Sequence, residues 1–91
     1  MNKKDLPPVI CQEECAEVIQ AISKIFRFGM DNTNLERKTN KQHLESEVGQ
    51  LLFSIEQLSE HWKLNTKSVA RAYDNKKATY KQWESYFPES K

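Results

Sequence analysis

Glycine is nearly absent from this 91-residue chain: two residues, with three prolines beside them and no Asn-Gly or Asp-Gly pair anywhere. Hairpin turns of β-sheet proteins draw on those pairs, and the alternation of β-branched residues that marks strands is missing as well. Net charge is equally scarce, +1 from 14 basic and 13 acidic side chains, with a pI of about 7.8. A basic surface for a nucleic-acid polymer is therefore not expected. No run approaches the ~20 apolar residues of a membrane span, and no apolar run follows Lys3 and Lys4 as a secretory leader requires. Cysteine is limited to Cys11 and Cys15. Four apart on a helix, with no His or Cys partner in a zinc spacing, they read as small core residues of a reducing cytoplasm, not as a disulfide.

What remains is helix. Surface scaling lets a 10.7 kDa chain hide roughly 10,000 Å² on folding, about 64% of its unfolded surface. That suffices for one modest core and leaves no room for a deep active site within one chain. The expected fold is all-α: a small bundle of three to four helices forming one domain over 1–91, its site completed by dimerisation or higher assembly. A polar lead, 1–6, precedes Pro7 and Pro8, which suit the first turn of a helix. That helix runs to Phe26 or Phe28, with Gly29 as terminator. Residues 29–40 have the composition of a loop. Thr39 or Asn40 caps a second helix over about 41–63. Asn65 or Thr66 starts a third that reaches about Phe87, with a break possible near Asp74–Asn75 and a polar tail over 88–91.

Projection at 100° per residue gathers Ile10, Val18, Ala21, Ile22 and Ile25 on one face of the first helix, with Cys11 nearby. Glu14 falls in the middle of that face and Glu17 on its flank. A carboxylate aimed at a core is costly unless it finds a partner. Either it is neutralised by a salt bridge or water at a helix end, or Glu14 and Glu17 address one bound cation. On the second helix Leu44, Val48, Leu51, Leu52, Ile55, Leu58 and Trp62 form an apolar stripe with Glu47 at its edge. Glu45, Glu56 and Glu60 mark a solvated flank, and Phe53 stands alone on the far side, suited to packing against another subunit. On the third helix Val69, Tyr73, Tyr80, Trp83 and Phe87 form a stripe interrupted by Lys76. Such a lysine either runs its stem along the rings or serves a site between helices.

Glu13-Glu14-Cys15-Ala16-Glu17 is an EExxE helix motif, followed after a loop by Glu47-Val48-Gly49-Gln50 on another helix. The pair resembles the MazG-like family of all-α nucleoside triphosphate pyrophosphohydrolases, whose signature is EExxE, a loop, then ExxD. The likeness extends through IQAISKIFRF (19–28), which is similar to small phage-encoded members, and HLESEVGQLL (43–52). It spans about 10–80, with four or five specific positions. One departure stands out: Gln50 occupies the place of the last aspartate. Its amide oxygen brings no negative charge, which weakens a metal site.

The resemblance implies Mg²⁺-dependent, or Mn²⁺-dependent, cleavage of a nucleoside triphosphate into monophosphate and pyrophosphate. It implies Glu14, Glu17, Glu47 and Gln50 as metal ligands, with Glu13 or Glu14 handling the attacking water. Lys76, with Lys77, Lys24 and Arg27, would meet the phosphates. Phe28, Trp62 or Tyr80 would line the base, and the assembly would be a homodimer or homotetramer. Two other readings stay open. One is a nucleotide-binding module weakened in catalysis by Gln50; the other is a helical oligomerisation or interaction protein. A helix-turn-helix outline over 58–73 is a weaker alternative, opposed by Glu56, Glu60 and the balanced charge.

Overall fold

The structure is a computed structural model and describes residues 2–33 and 36–87. Asn34 and Leu35 of the expected loop, and the tail over 88–91, lie outside the described residues. Three helices follow in order: α1 (Leu6–Phe28), α2 (Asn40–His61) and α3 (Thr66–Glu84), and the described residues form an all-α fold. The polar lead is itself ordered as a 3₁₀ turn over Lys3–Asp5, capped by Asn2.

The helix ends follow from local chemistry. Pro7 and Pro8 fill the first turn of α1, where amide hydrogens have no acceptor to lose. Gly29 closes it at φ 89°, a conformation glycine adopts without a Cβ penalty. Thr39 and Gln42 form a reciprocal capping box at the start of α2. The Gln42 amide donates to Thr39 Oγ1 and the Thr39 amide to Gln42 Oε1, each at 3.0 Å. Asn65 caps α3 by accepting from the Ser68 amide at 3.0 Å. The break considered near Asp74–Asn75 does not occur, and α3 runs through it without interruption.

α1 and α2 pack as an antiparallel hairpin. Its loop is pinned by the Asn40 amide to Asn32 O and the Lys41 amide to Met30 O, and the Asn40 side chain donates to Gly29 O at 2.9 Å. The seam is spaced four and three alternately on both helices. Pro7, Cys11, Glu14, Val18, Ala21 and Ile25 on α1 and Asn40, Leu44, Glu47, Leu51, Ser54 and Leu58 on α2 are buried or half-buried at that spacing, with Pro8, Val9, Lys24, His43, Ser46, Gln57 and Ser59 half-buried beside them. That 3.5-residue repeat is the narrow seam of a coiled coil. It corrects the expected stripe on α2. Leu44, Leu51 and Leu58 are half-buried, but Val48, Leu52, Ile55 and Trp62 are exposed, while Glu47 moves from the edge into the seam. A single neighbouring helix covers only one side of α2, and the side it covers is the one carrying Glu47 and Ser54.

α3 stands apart. None of its Cα atoms comes within 8 Å of a Cα in α1 or α2, and every described residue from Glu60 to Phe87 is exposed. The helix-turn-helix outline over 58–73 is present in sequence order, but its two helices do not pack together. The molecule is a flat, bent body of 45 × 39 × 16 Å with a radius of gyration of 16.6 Å, against about 12 Å for a compact chain of this length. Its accessible surface is 8174 Å², whereas a compact monomer of 10.7 kDa exposes roughly 5,500 Å². The hidden area anticipated for folding is therefore not reached by one chain. No helix among the described residues is long and apolar enough to cross a membrane.

Candidate functional site

The hairpin seam buries polar groups among its apolar positions. Its fully buried hydrophobic side chains are Cys11 and Ala21, and its buried polar ones are Asn40, Glu47 and Ser54. Both cysteines are free, Cys11 buried and Cys15 exposed. Burial, with Cys15 as a neighbour, pushes the Cys11 thiol up, so it is an inert filler.

Asn40 and Ser54 have internal partners: Asn40 bonds to Gly29 O, and Ser54 Oγ donates to Gln50 O at 2.9 Å. The two seam carboxylates differ. Glu14 and Glu47 each keep an Oε2 that is buried and makes no hydrogen bond. The other oxygen of Glu47 lies 3.9 Å from His43 Nε2, one turn earlier on α2. Burial raises the Glu14 carboxyl above its ordinary value, and the charges of Glu47, Glu17 and Glu13, with a hydrogen bond to the Glu47 side chain, raise it further. Like charges held together, with oxygens cut off from water, cost free energy. A proton shared by the pair, or a cation between them, would remove that cost. The two carboxylates are hard oxygen donors on facing helices, which fits a divalent ion of the Mg²⁺ type.

Among the described residues no group of three or more His, Cys, Asp or Glu side chains is arranged to hold a metal. Glu17 and Glu13 are exposed beside Glu14 and act on it through charge. Gln50 is also exposed; it lines an open groove with Glu14, Ile10, Gly49 and Phe53. The structure thus brings Glu14 and Glu47 together, keeps Glu13, Glu17 and Gln50 at their margin, and adds His43. Sequence reasoning missed His43, although its i,i+4 spacing to Glu47 was the available signal.

The basic residues are elsewhere. Lys24 and Arg27 sit toward the loop end of α1, about 15 and 20 Å from Glu14 along the axis at 1.5 Å per residue. Arg27 lies over the Phe28 ring at 5.1 Å. Lys76 and Lys77 ride on α3, away from the hairpin, and Lys76 Nζ lies 5.2 Å over the Trp83 ring. Phe28, Trp62 and Tyr80, the residues considered for a base, are exposed on three different helical ends. Within one chain, acids and bases do not converge, because the hairpin gathers only what α1 and α2 carry.

Comparison of the chain with protein-family models, with curated proteins and with solved structures gives no match.

Proposed function

We propose that the protein is a divalent-cation-dependent nucleoside triphosphate pyrophosphohydrolase of the MazG-like type, acting in the cytoplasm as a homo-oligomer. One observation carries the reading: Glu14 and Glu47 meet across a helix seam, each with a buried carboxylate oxygen that has no partner. The EExxE and ExxQ motifs supply exactly these two positions from separate helices. The absence of a three-ligand cage is compatible with Mg²⁺, which commonly takes one or two carboxylates and completes its shell with water and substrate phosphates.

Glu14 and Glu47 would hold the ion, with Glu17 and the Gln50 amide at its margin. When bound, the ion offsets phosphate charge and polarises the phosphoryl centre. Glu13, exposed beside Glu14, orients the attacking water and accepts its proton. Lys76 and Lys77 neutralise charge on the departing pyrophosphate, which requires them to come from another subunit. Lys24 and Arg27 serve the nucleotide only at the loop end of the hairpin.

A second reading is favoured by Gln50. Its neutral amide adds no charge to the groove it lines with Glu14, which suits a module that binds nucleotide without turning it over. Pyrophosphate release from a panel of ribo- and deoxyribonucleoside triphosphates with Mg²⁺ or Mn²⁺ separates the two. The enzyme reading expects turnover in the wild type that falls at least about a hundredfold in Glu14→Gln and Glu47→Gln. Turnover confined to Gln50→Asp would favour the binding module. No turnover and no nucleotide binding in any variant would overturn both and leave a helical interaction protein.

A further inference from the structure

We infer that α3 is an exchange arm: it docks into the α1–α2 groove of a second copy of this chain and delivers Lys76 to that copy's acidic centre. The apolar and aromatic residues of the arm, Val69, Tyr73, Tyr80 and Trp83, fall with Lys76 into the same alternating four-three spacing as the hairpin seam, and Phe87, just past the helix end at Glu84, continues it in sequence. All six are exposed. A helix patterned for a coiled-coil seam, whose own chain offers it only an open cleft beside Ser59 and Leu64, is suited to a partner. Its own hairpin is not that partner, since no Cα of α3 approaches α1 or α2 within 8 Å.

The receiving surface has the matching features. An open groove of about 550 Å³ runs beside Ile10, Glu14, Glu45, Gly49, Gln50 and Phe53, so that apolar and acidic side chains both line it. Gly49 is in the middle of α2, where glycine costs about 1 kcal/mol relative to alanine. A Cβ there would meet nothing within 4 Å, so packing inside one chain gives no reason for it. Close approach of a bulky side chain from outside does.

Charge selects the occupant. α3 carries Lys67, Arg71, Lys76, Lys77 and Lys81 against Asp74 and Glu84; α2 carries four glutamates against Lys41. Two arms would repel each other and set Lys76 against Lys76, whereas arm on hairpin sets Lys76 against Glu14. Area agrees. The exposed surplus over a compact monomer, roughly 2,700 Å², exceeds the roughly 1,000 Å² per partner that an obligate homodimer hides at minimum. Arm docking stands whether or not the centre also takes a nucleotide.

Sedimentation equilibrium of the full chain, with chelator and without nucleotide, tests it. The wild type is expected at an even multiple of 10.7 kDa. Glu14→Lys and Lys76→Glu should each weaken association at least about tenfold, and an equimolar mixture of the two should restore it, because every arm then meets a groove of opposite charge. Trp83→Glu, on an arm residue 57% exposed, should weaken association with helix content unchanged. A monomer at all concentrations, an association indifferent to Lys76→Glu and Trp83→Glu, or a mixture no tighter than its components would overturn the inference.

Discussion

The hairpin and α3 use the same spacing of residues but differ in what they bury on it. In the hairpin the seam holds Asn40, Glu47 and Ser54 as buried groups, with Glu14 half-buried among them. In α3 the equivalent positions are Val69, Tyr73, Tyr80 and Trp83, followed by Phe87 just past the helix end, and all are exposed, Tyr73 by 70%. Hydrophobic burial favours the reverse arrangement. Buried polar groups and an exposed apolar stripe in one small chain are what the proposed assembly of copies would account for. On the reading proposed above, the seam keeps two carboxylates together to hold a cation, and the arm keeps its apolar face for a second copy.

The contrast can be broken most sharply at Ala21, which is 1% exposed in the seam. Ala21→Leu should cost about 1–3 kcal/mol by overpacking, read from urea unfolding, whereas Ala72→Leu on the arm should cost almost nothing. Glu47→Leu should move the other way. Removing a buried carboxylate oxygen without a partner should stabilise the nucleotide-free hairpin by on the order of 1 kcal/mol while abolishing any cation response. A stability loss would mean that Glu47 is held by the fold rather than imposed on it.

The pH dependence sharpens the same point. Burial first, and then the charges of Glu47, Glu17 and Glu13, raise Glu14 above its ordinary 4.5 in the folded chain. Folding therefore favours the protonated form. That stabilisation is complete below 4.5 and is lost as pH rises through the raised value. Metal-free wild type should gain stability as pH falls from 7 toward 4.5, and Glu14→Gln should flatten the gain; urea titrations in chelator at both ends of that window measure it. The smallest effect belongs to the arm. Trp83→Ala should change the unfolding free energy of monomeric protein, measured at dilution, by less than about 0.5 kcal/mol.

Much of this was legible in the residues. Pro7, Pro8, Gly29, Thr39 and Asn65 announced the helix ends because caps and breakers act locally, through bonds to amides three or four residues away. Glu14 was legible as an inward carboxylate because one helix face is a matter of angle. The facing of α2 was not. Its apolar stripe is real, but periodicity records which residues share a face and not which neighbour covers it. The partner in this chain took the side with Glu47 and left Val48, Leu52 and Ile55 outside. The separation of Lys76 from the acids was illegible for the same reason. Nothing in residues 62–65 states the angle at which α3 leaves the hairpin.

The central claim is that Glu14 and Glu47 are kept together to hold a divalent cation. Thermal unfolding of wild type and Glu47→Gln, each with and without Mn²⁺ at neutral pH, tests it most directly. At a hundredfold excess over Kd, binding adds about 2.7 kcal/mol, a rise of at least several degrees for a domain of this size. The account predicts that rise in wild type and its loss in Glu47→Gln, whose metal-free midpoint should be no lower than that of the wild type. A wild type indifferent to Mn²⁺, or an equal rise in both proteins, would contradict it.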